Sequence, residues 1–168
     1  MKYKLAALCA CALACCAQSR EHAEAGFTLR LPAPPSVVFP LFGPVRESEW
    51  SPHWNPAILY PPDRSQKAGA VFITREQDED VIWVLTTYDE SALRMNYVIV
   101  SPQRTAGELE IALKAVGDKE TEATVTHRLT SLSGAGDVYV KLVGREFPQE
   151  RNHWLQALTK RLRELASH

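Results

Sequence analysis

VFPLFGPVRESEWSPHWNPAILYPP, residues 38–62, concentrates proline and aromatic residues as no other part of this chain does. Pro40, Pro44, Pro52, Pro56, Pro61 and Pro62 each fix φ and remove a backbone donor, so neither a long helix nor a central strand can run through. Short helical pieces joined by turns are what remains. Between the prolines, Phe39, Leu41, Phe42, Trp50, Trp54 and Tyr60 carry more apolar area than so broken a segment can bury within itself. The segment is expected to form an elbow or lid that packs on a sheet or walls a cavity.

Downstream of the elbow the chain reads as a meander of strands at residues 58–60, 70–74, 81–88, 93–100, 107–116 and 122–131. Pro61-Pro62-Asp63, Asp89-Glu90-Ser91, Ser101-Pro102 and Gly117-Asp118 supply the turns between them. Connections this short permit only antiparallel pairing. Leu109, Ile111 and Leu113 alternate with Glu108, Glu110 and Lys114, which predicts a sheet with one wet face and one face that needs a cover. The cover is a helix over residues 147–166, where Phe147, Trp154, Leu155, Leu158, Leu162 and Leu165 fall in one stripe about 100° wide. Gly134-Ala135-Gly136 reads as a flexible joint before a short helical or extended piece at residues 137–143.

Upstream of the elbow, Phe27, Leu29 and Leu31 alternate with Thr28 and Arg30 in a short first strand, stopped by Pro32, Pro34 and Pro35. Pro35 suits the first turn of a helix through Phe42, and Gly43-Pro44 ends it and begins a second.

The run VFPLFGP, then EWSPHWNP, then ILYPP, with a Gly69-Ala70-Val71-Phe72 strand after them, resembles an exported branch of the SRPBCC superfamily. That superfamily takes in START lipid-binding domains, polyketide cyclase/dehydrase-like proteins and the birch-pollen-allergen fold. The resemblance runs from Phe27 into the C-terminal helix. It implies an α+β helix-grip (START-like) fold: a curved antiparallel sheet wrapped around a long C-terminal helix, with two short helices after strand one. It also implies a mostly apolar pocket between sheet and helix, and leaves function open, because one fold hosts many chemistries.

A chain of 168 residues, 45% of them hydrophobic, supports one ordinary domain, here residues 26–168. The net charge of −1 offers no basic excess for a nucleic-acid partner. Residues 1–25 read as a leader: Lys2 and Lys4 form a basic start, residues 5–17 a small-apolar run, and Ala23-Glu24-Ala25 a small-x-small cleavage pattern. The run is shorter than the ~20 residues a spanning helix needs. All four cysteines, Cys9, Cys11, Cys15 and Cys16, lie inside it, so the domain itself has no thiol for disulfides, zinc or nucleophilic attack. Cys15 and Cys16 also resemble a lipoprotein acceptor. Two forms therefore stay open: a freely secreted domain, in the periplasm or outside the cell, or one tethered to a membrane by a lipidated Cys15 or Cys16 through residues 17–25.

Catalytic signatures are absent from residues 26–168: no phosphate-binding Gly-rich loop, no His-x-x-x-His spacing and no nucleophile elbow. No metal or cofactor is implied. The acidic run Glu76, Asp78, Glu79 and Asp80 reads as a solvated turn, and His53 and His153 as exposed. Trp50, Trp54, Trp83, Tyr97 and Trp154 are the aromatic candidates to line a ligand pocket, each of which could equally be plain core. Trp83 has apolar neighbours of both parities, so periodicity does not choose its side. His127 and Arg151 are the polar candidates: His127 shares parity with Ala123, Val125 and Leu129, and Arg151 sits between Phe147 and Trp154 in the helical stripe.

Three functions fit this pattern. One is a domain that binds a small hydrophobic or amphipathic ligand, whether lipid, polyketide-like or aromatic. Another is a cyclase/dehydrase-type enzyme using His127 or Arg151 for proton transfer. The last is a non-binding interaction domain whose tryptophans fill the core.

Overall fold

The computed structural model describes residues 19–76 and 78–167, so the leader's apolar run and all four cysteines, Cys15 and Cys16 included, lie outside the described residues. Seven strands form one sheet: β1 (His22–Leu31), β2 (Ala57–Tyr60), β3 (Ala70–Glu76), β4 (Glu79–Asp89), β5 (Arg94–Ser101), β6 (Thr105–Ala115) and β7 (Thr121–Ser131). Their order is β1-β7-β6-β5-β4-β3-β2, and each neighbouring pair is antiparallel. The meander predicted from alternation is thus the observed sheet, with β1 returning to pair with the last strand.

Strand β1 is longer than the sequence suggested. It begins at His22, and Ala23, Ala25, Phe27, Leu29 and Leu31 alternate inward against β7, with Ala25 opposite His127 and Phe27 opposite Val125. Residues 22–25 are therefore sheet, because Ala23 and Ala25 continue the apolar parity that Phe27 begins.

After β1 come the helix α1 (Pro35–Val38) and two 3-10 turns, Phe39–Phe42 and Arg46–Glu49. This is the elbow, and its side chains are tied inward. Phe39, Leu41, Phe42 and Trp50 are buried, and Trp50 Nε1 donates to Leu41 O at 2.7 Å. Gln66 reaches across to brace the segment, accepting from Val45 N and Arg46 N and donating to Pro40 O. Tyr60, expected to be buried with the others, is 50% exposed beside Lys67, since the edge strand β2 leaves that side uncovered.

The cover on the apolar face is longer than residues 147–166. Helix α2 (Gly134–Glu146), a 3-10 turn (Phe147–Glu150) and helix α3 (Arg151–Ala166) run almost without interruption. Pro148 explains the turn between them, since it cannot donate to the preceding helical carbonyl. The Gly134-Ala135-Gly136 stretch is not a loose joint. Ser133 Oγ caps α2 by accepting from Gly136 N, and a Cβ on Gly136 would lie 2.0 Å from Arg104 O, so glycine permits the helix to approach the β5–β6 turn. Along α3, Leu158 and Leu162 are buried and Trp154, Leu155 and Leu165 pack partly buried on the same core, matching the stripe.

Candidate functional site

The sheet curves away from the 3-10 turn and the start of α3, and a cavity of about 220 Å³ remains between them. Aromatic rings line it. From the sheet side come Trp83 of β4 and Tyr97 of β5, with Trp54 of the elbow packed edge-on to Trp83 at 5.3 Å. From the helix side come Phe147 and Trp154, edge-on to each other at 6.4 Å. Ile99 and Leu109 complete the apolar wall. Alternation on β4 settles the question periodicity left open: Val81, Trp83 and Leu85 are the inward set.

Most polar atoms in this wall are already engaged. Trp83 Nε1 donates to Thr74 Oγ1 at 2.9 Å, and Trp54 Nε1 to Pro44 O at 2.7 Å. Tyr97 donates its hydroxyl to Phe42 O at 2.9 Å, and burial pushes the phenol well above its ordinary range. His127 is not engaged in this way. Both of its ring nitrogens are buried with no hydrogen-bond partner among the described residues, and its ring lies 5.1 Å from that of Phe147. Leaving such a group unsatisfied costs about 1–3 kcal/mol. Burial lowers its pKa to about 4, so the imidazole is neutral at pH 7, with one nitrogen to donate and one to accept.

Two carboxyl groups join it. Glu47, on the 3-10 turn Arg46–Glu49, lines the cavity, and desolvation raises its pKa to about 8. Its surface is only partly accessible, and its carboxyl has no hydrogen bond among the described residues. Glu76, at the end of β3, borders the cavity together with Trp54, and both also border an open cleft lined by Ser51, His53 and Thr74. Trp54 and Glu76 thus stand between the cavity and the outside.

Of the sequence candidates, Trp54, Trp83, Tyr97, His127 and Trp154 converge on the cavity. Trp50 does not: it is core, edge-on to Trp154 at 5.1 Å and to Phe42 at 6.3 Å. Arg151 faces away. It is exposed, donating from Nε to Thr28 O of the edge strand at 2.9 Å and from Nη1 to Asn152. Arg151 is the first residue of α3, and its guanidinium reaches past the core to the backbone of the edge strand, with the stem on the apolar side and the charged head in water. Glu47, Glu76 and Phe147 were not singled out from sequence as pocket residues. Glu47 sits in Arg46-Glu47-Ser48-Glu49, which looks like a solvated turn, and the residues that share its cavity, Trp83, Tyr97 and His127 among them, are remote in sequence.

No protein-family model matches the sequence, and no curated protein matches it. Solved structures match the fold. A START superfamily protein from Mycobacterium smegmatis superposes with a TM-score of 0.61 at 16% identity, covering 86% of this chain and 99% of its own. Norcoclaurine synthase from Thalictrum flavum, in complex with dopamine and hydroxybenzaldehyde, gives 0.64 at 10% identity, covering 87% of this chain and 89% of its own. A protein from Rhizobium leguminosarum gives 0.59 at 18% identity, covering 87% and 97%. The chain therefore has the helix-grip fold that these structures share, the fold the elbow motifs implied.

Proposed function

We propose that this START-like fold is a binding domain for a small amphipathic molecule of about one aromatic ring, held between the sheet and α3. The observation behind the proposal is His127, whose two buried nitrogens have no partner among the described residues and lie in a wall made mostly of aromatic side chains. A ligand that offers a hydroxyl, carbonyl or amine satisfies them and removes the cost of leaving them bare. Size supports the one-ring class over a long acyl chain. A dry cavity of ~150 Å³ accepts benzene, and drug-sized pockets begin near 300 Å³, so about 220 Å³ lies between the two. Dopamine and hydroxybenzaldehyde, bound by the norcoclaurine synthase neighbour, are one-ring molecules too.

Native mass spectrometry of protein purified from its own host tests this. A copurified small molecule, displaced by indole and absent from a folded Trp83→Ala variant, is the expected result. Repeated recovery of empty protein that takes up no one-ring probe would contradict it.

One observation favours a second reading, a cyclase/dehydrase-type enzyme. Glu47 and His127 share the cavity with proton affinities displaced in opposite directions, the arrangement by which acid and base roles are separated. An imidazole held near 4 is a weak base at neutral pH, which favours binding over proton abstraction. Turnover of an enolisable ketone, lost in His127→Phe, would reverse that order.

We also infer that the chain is exported and retained on a membrane through Cys15 or Cys16. Cleavage after Ala25 would remove the first part of β1 and its pairing from His22↔Thr130 to Ala25↔His127. Processing at either cysteine leaves β1 whole, and the pairing supports that choice.

A further inference from the structure

We propose that the cavity selects a small organic cation, an ammonium carried on a single ring or short apolar body. The inference rests on the cavity being a ligand site and names the chemistry of its occupant. Among the described residues, two carboxyl side chains, Glu47 and Glu76, border the cavity, and no lysine or arginine does. Glu47 has neither a cationic partner nor a hydrogen bond to its carboxyl among the described residues, whereas Glu49, two residues on, pairs with Arg46 and Arg161. The protein thus provides cations for the outward carboxylate and none for the inward one.

The remaining wall suits the same occupant. Trp54, Trp83, Phe147 and Trp154 enclose the space from two sides, and aromatic faces attract a desolvated cation by their quadrupole. His127 completes the set as an acceptor. Its imidazole stays neutral, so it does not repel an ammonium and offers one nitrogen lone pair to it. A primary ammonium has three hydrogens to place, and Glu47, Glu76 and His127 present three acceptors to the cavity. Among the described residues, the titratable groups that line the cavity with Glu47 are Glu76 from β3, Tyr97 from β5 and His127 from β7, and the helix side contributes Phe147 and Trp154. With Tyr97 engaged on Phe42 O, none of these carries a positive charge at neutral pH.

Ligand charge also couples to the Glu47 proton. Below about pH 8 that carboxyl is protonated in the empty cavity, and an entering cation favours its ionised form, so binding releases a proton.

Calorimetric titration of the full chain with benzylammonium, benzyl alcohol and benzoate, at pH 7 in buffers of different ionisation enthalpy, tests the proposal. Benzylammonium should bind about tenfold or more tighter than benzyl alcohol, as one desolvated cation–π or charge-assisted contact implies, with benzoate weakest. Proton release should accompany benzylammonium alone. Glu47→Gln should remove the preference while leaving benzyl alcohol binding intact. Should that variant fail to fold, Glu76→Gln must reduce the same preference. Equal or tighter binding of benzyl alcohol or benzoate, or a preference unchanged in both variants, would overturn the cation assignment while leaving the cavity as a ligand site. Failure of all three probes to bind would overturn both.

Discussion

Glu47 and His127 reach one cavity from the elbow and from β7, and burial moves their proton affinities in opposite directions, the carboxyl up to about 8 and the imidazole down to about 4. Both shifts have the same cause, since a low-dielectric wall disfavours whichever form carries charge.

This pairing predicts a pH profile of stability. His127 binds fewer protons folded than unfolded between about pH 4 and its ordinary value of 6.5, so stability rises with pH there. Glu47 binds more protons folded than unfolded between 4.5 and about 8, so its contribution is fully present below 4.5 and is lost as pH rises towards 8. The two slopes oppose each other from 4.5 to 6.5, and above 6.5 the Glu47 slope acts alone. Urea melts should show a decline of at most about 2 kcal/mol from pH 6.5 to 8 that disappears in Glu47→Gln.

Trp154 holds α3 to the sheet through edge-on contacts with Phe27 at 5.4 Å and Trp50 at 5.1 Å. Because the ring also borders the cavity, truncation should cost about 3 kcal/mol, the low end for a tryptophan. Denaturant unfolding of Trp154→Ala checks this, and an unchanged midpoint would mean the contacts are not structural.

Arg151→Met should bind every one-ring probe as the parent does and lose no more than about 1 kcal/mol of stability, because the guanidinium is exposed and its one bond to the sheet is to Thr28 O. A change in probe affinity would place Arg151 at the site after all.

Gly136→Ala should destabilise by about 1–3 kcal/mol, since the new Cβ meets the backbone oxygen of Arg104, which cannot yield as a side chain would. A thermal melt reads it, and an unchanged melting temperature would mean α2 can shift outward without loss.

Much of the fold was legible because alternation and helical stripes report directly on burial. Leu109, Ile111 and Leu113 announced the inner face of β6, and Leu158 and Leu162 that of α3. The elbow's prolines forced short turns, and those turns carry the aromatics to the cavity. What stayed hidden was positional. Ala23 and Ala25 extend the parity of β1, but Ala-Glu-Ala also fits a cleavage pattern, so the start of the strand was not legible from the sequence. Arg151 was misplaced because a helical wheel reports angle and not position along the axis: as the first residue of α3 it lies at the edge strand, where its head reaches water. Glu47 carried no local sign of burial, since its neighbours Ser48 and Glu49 are exposed, and its environment is made by residues remote in sequence, among them Trp83, Tyr97 and His127.

Contact between His127 and a ligand in this cavity is read from the ring-nitrogen resonances of His127 in ¹⁵N-histidine-labelled protein during titration with indole. At least one ring nitrogen of His127 should show a saturable shift, exposed His53 and His153 should show none, and a folded His127→Phe variant should bind more weakly. Unmoved His127 resonances at saturating indole, with the same affinity in His127→Phe, would contradict it.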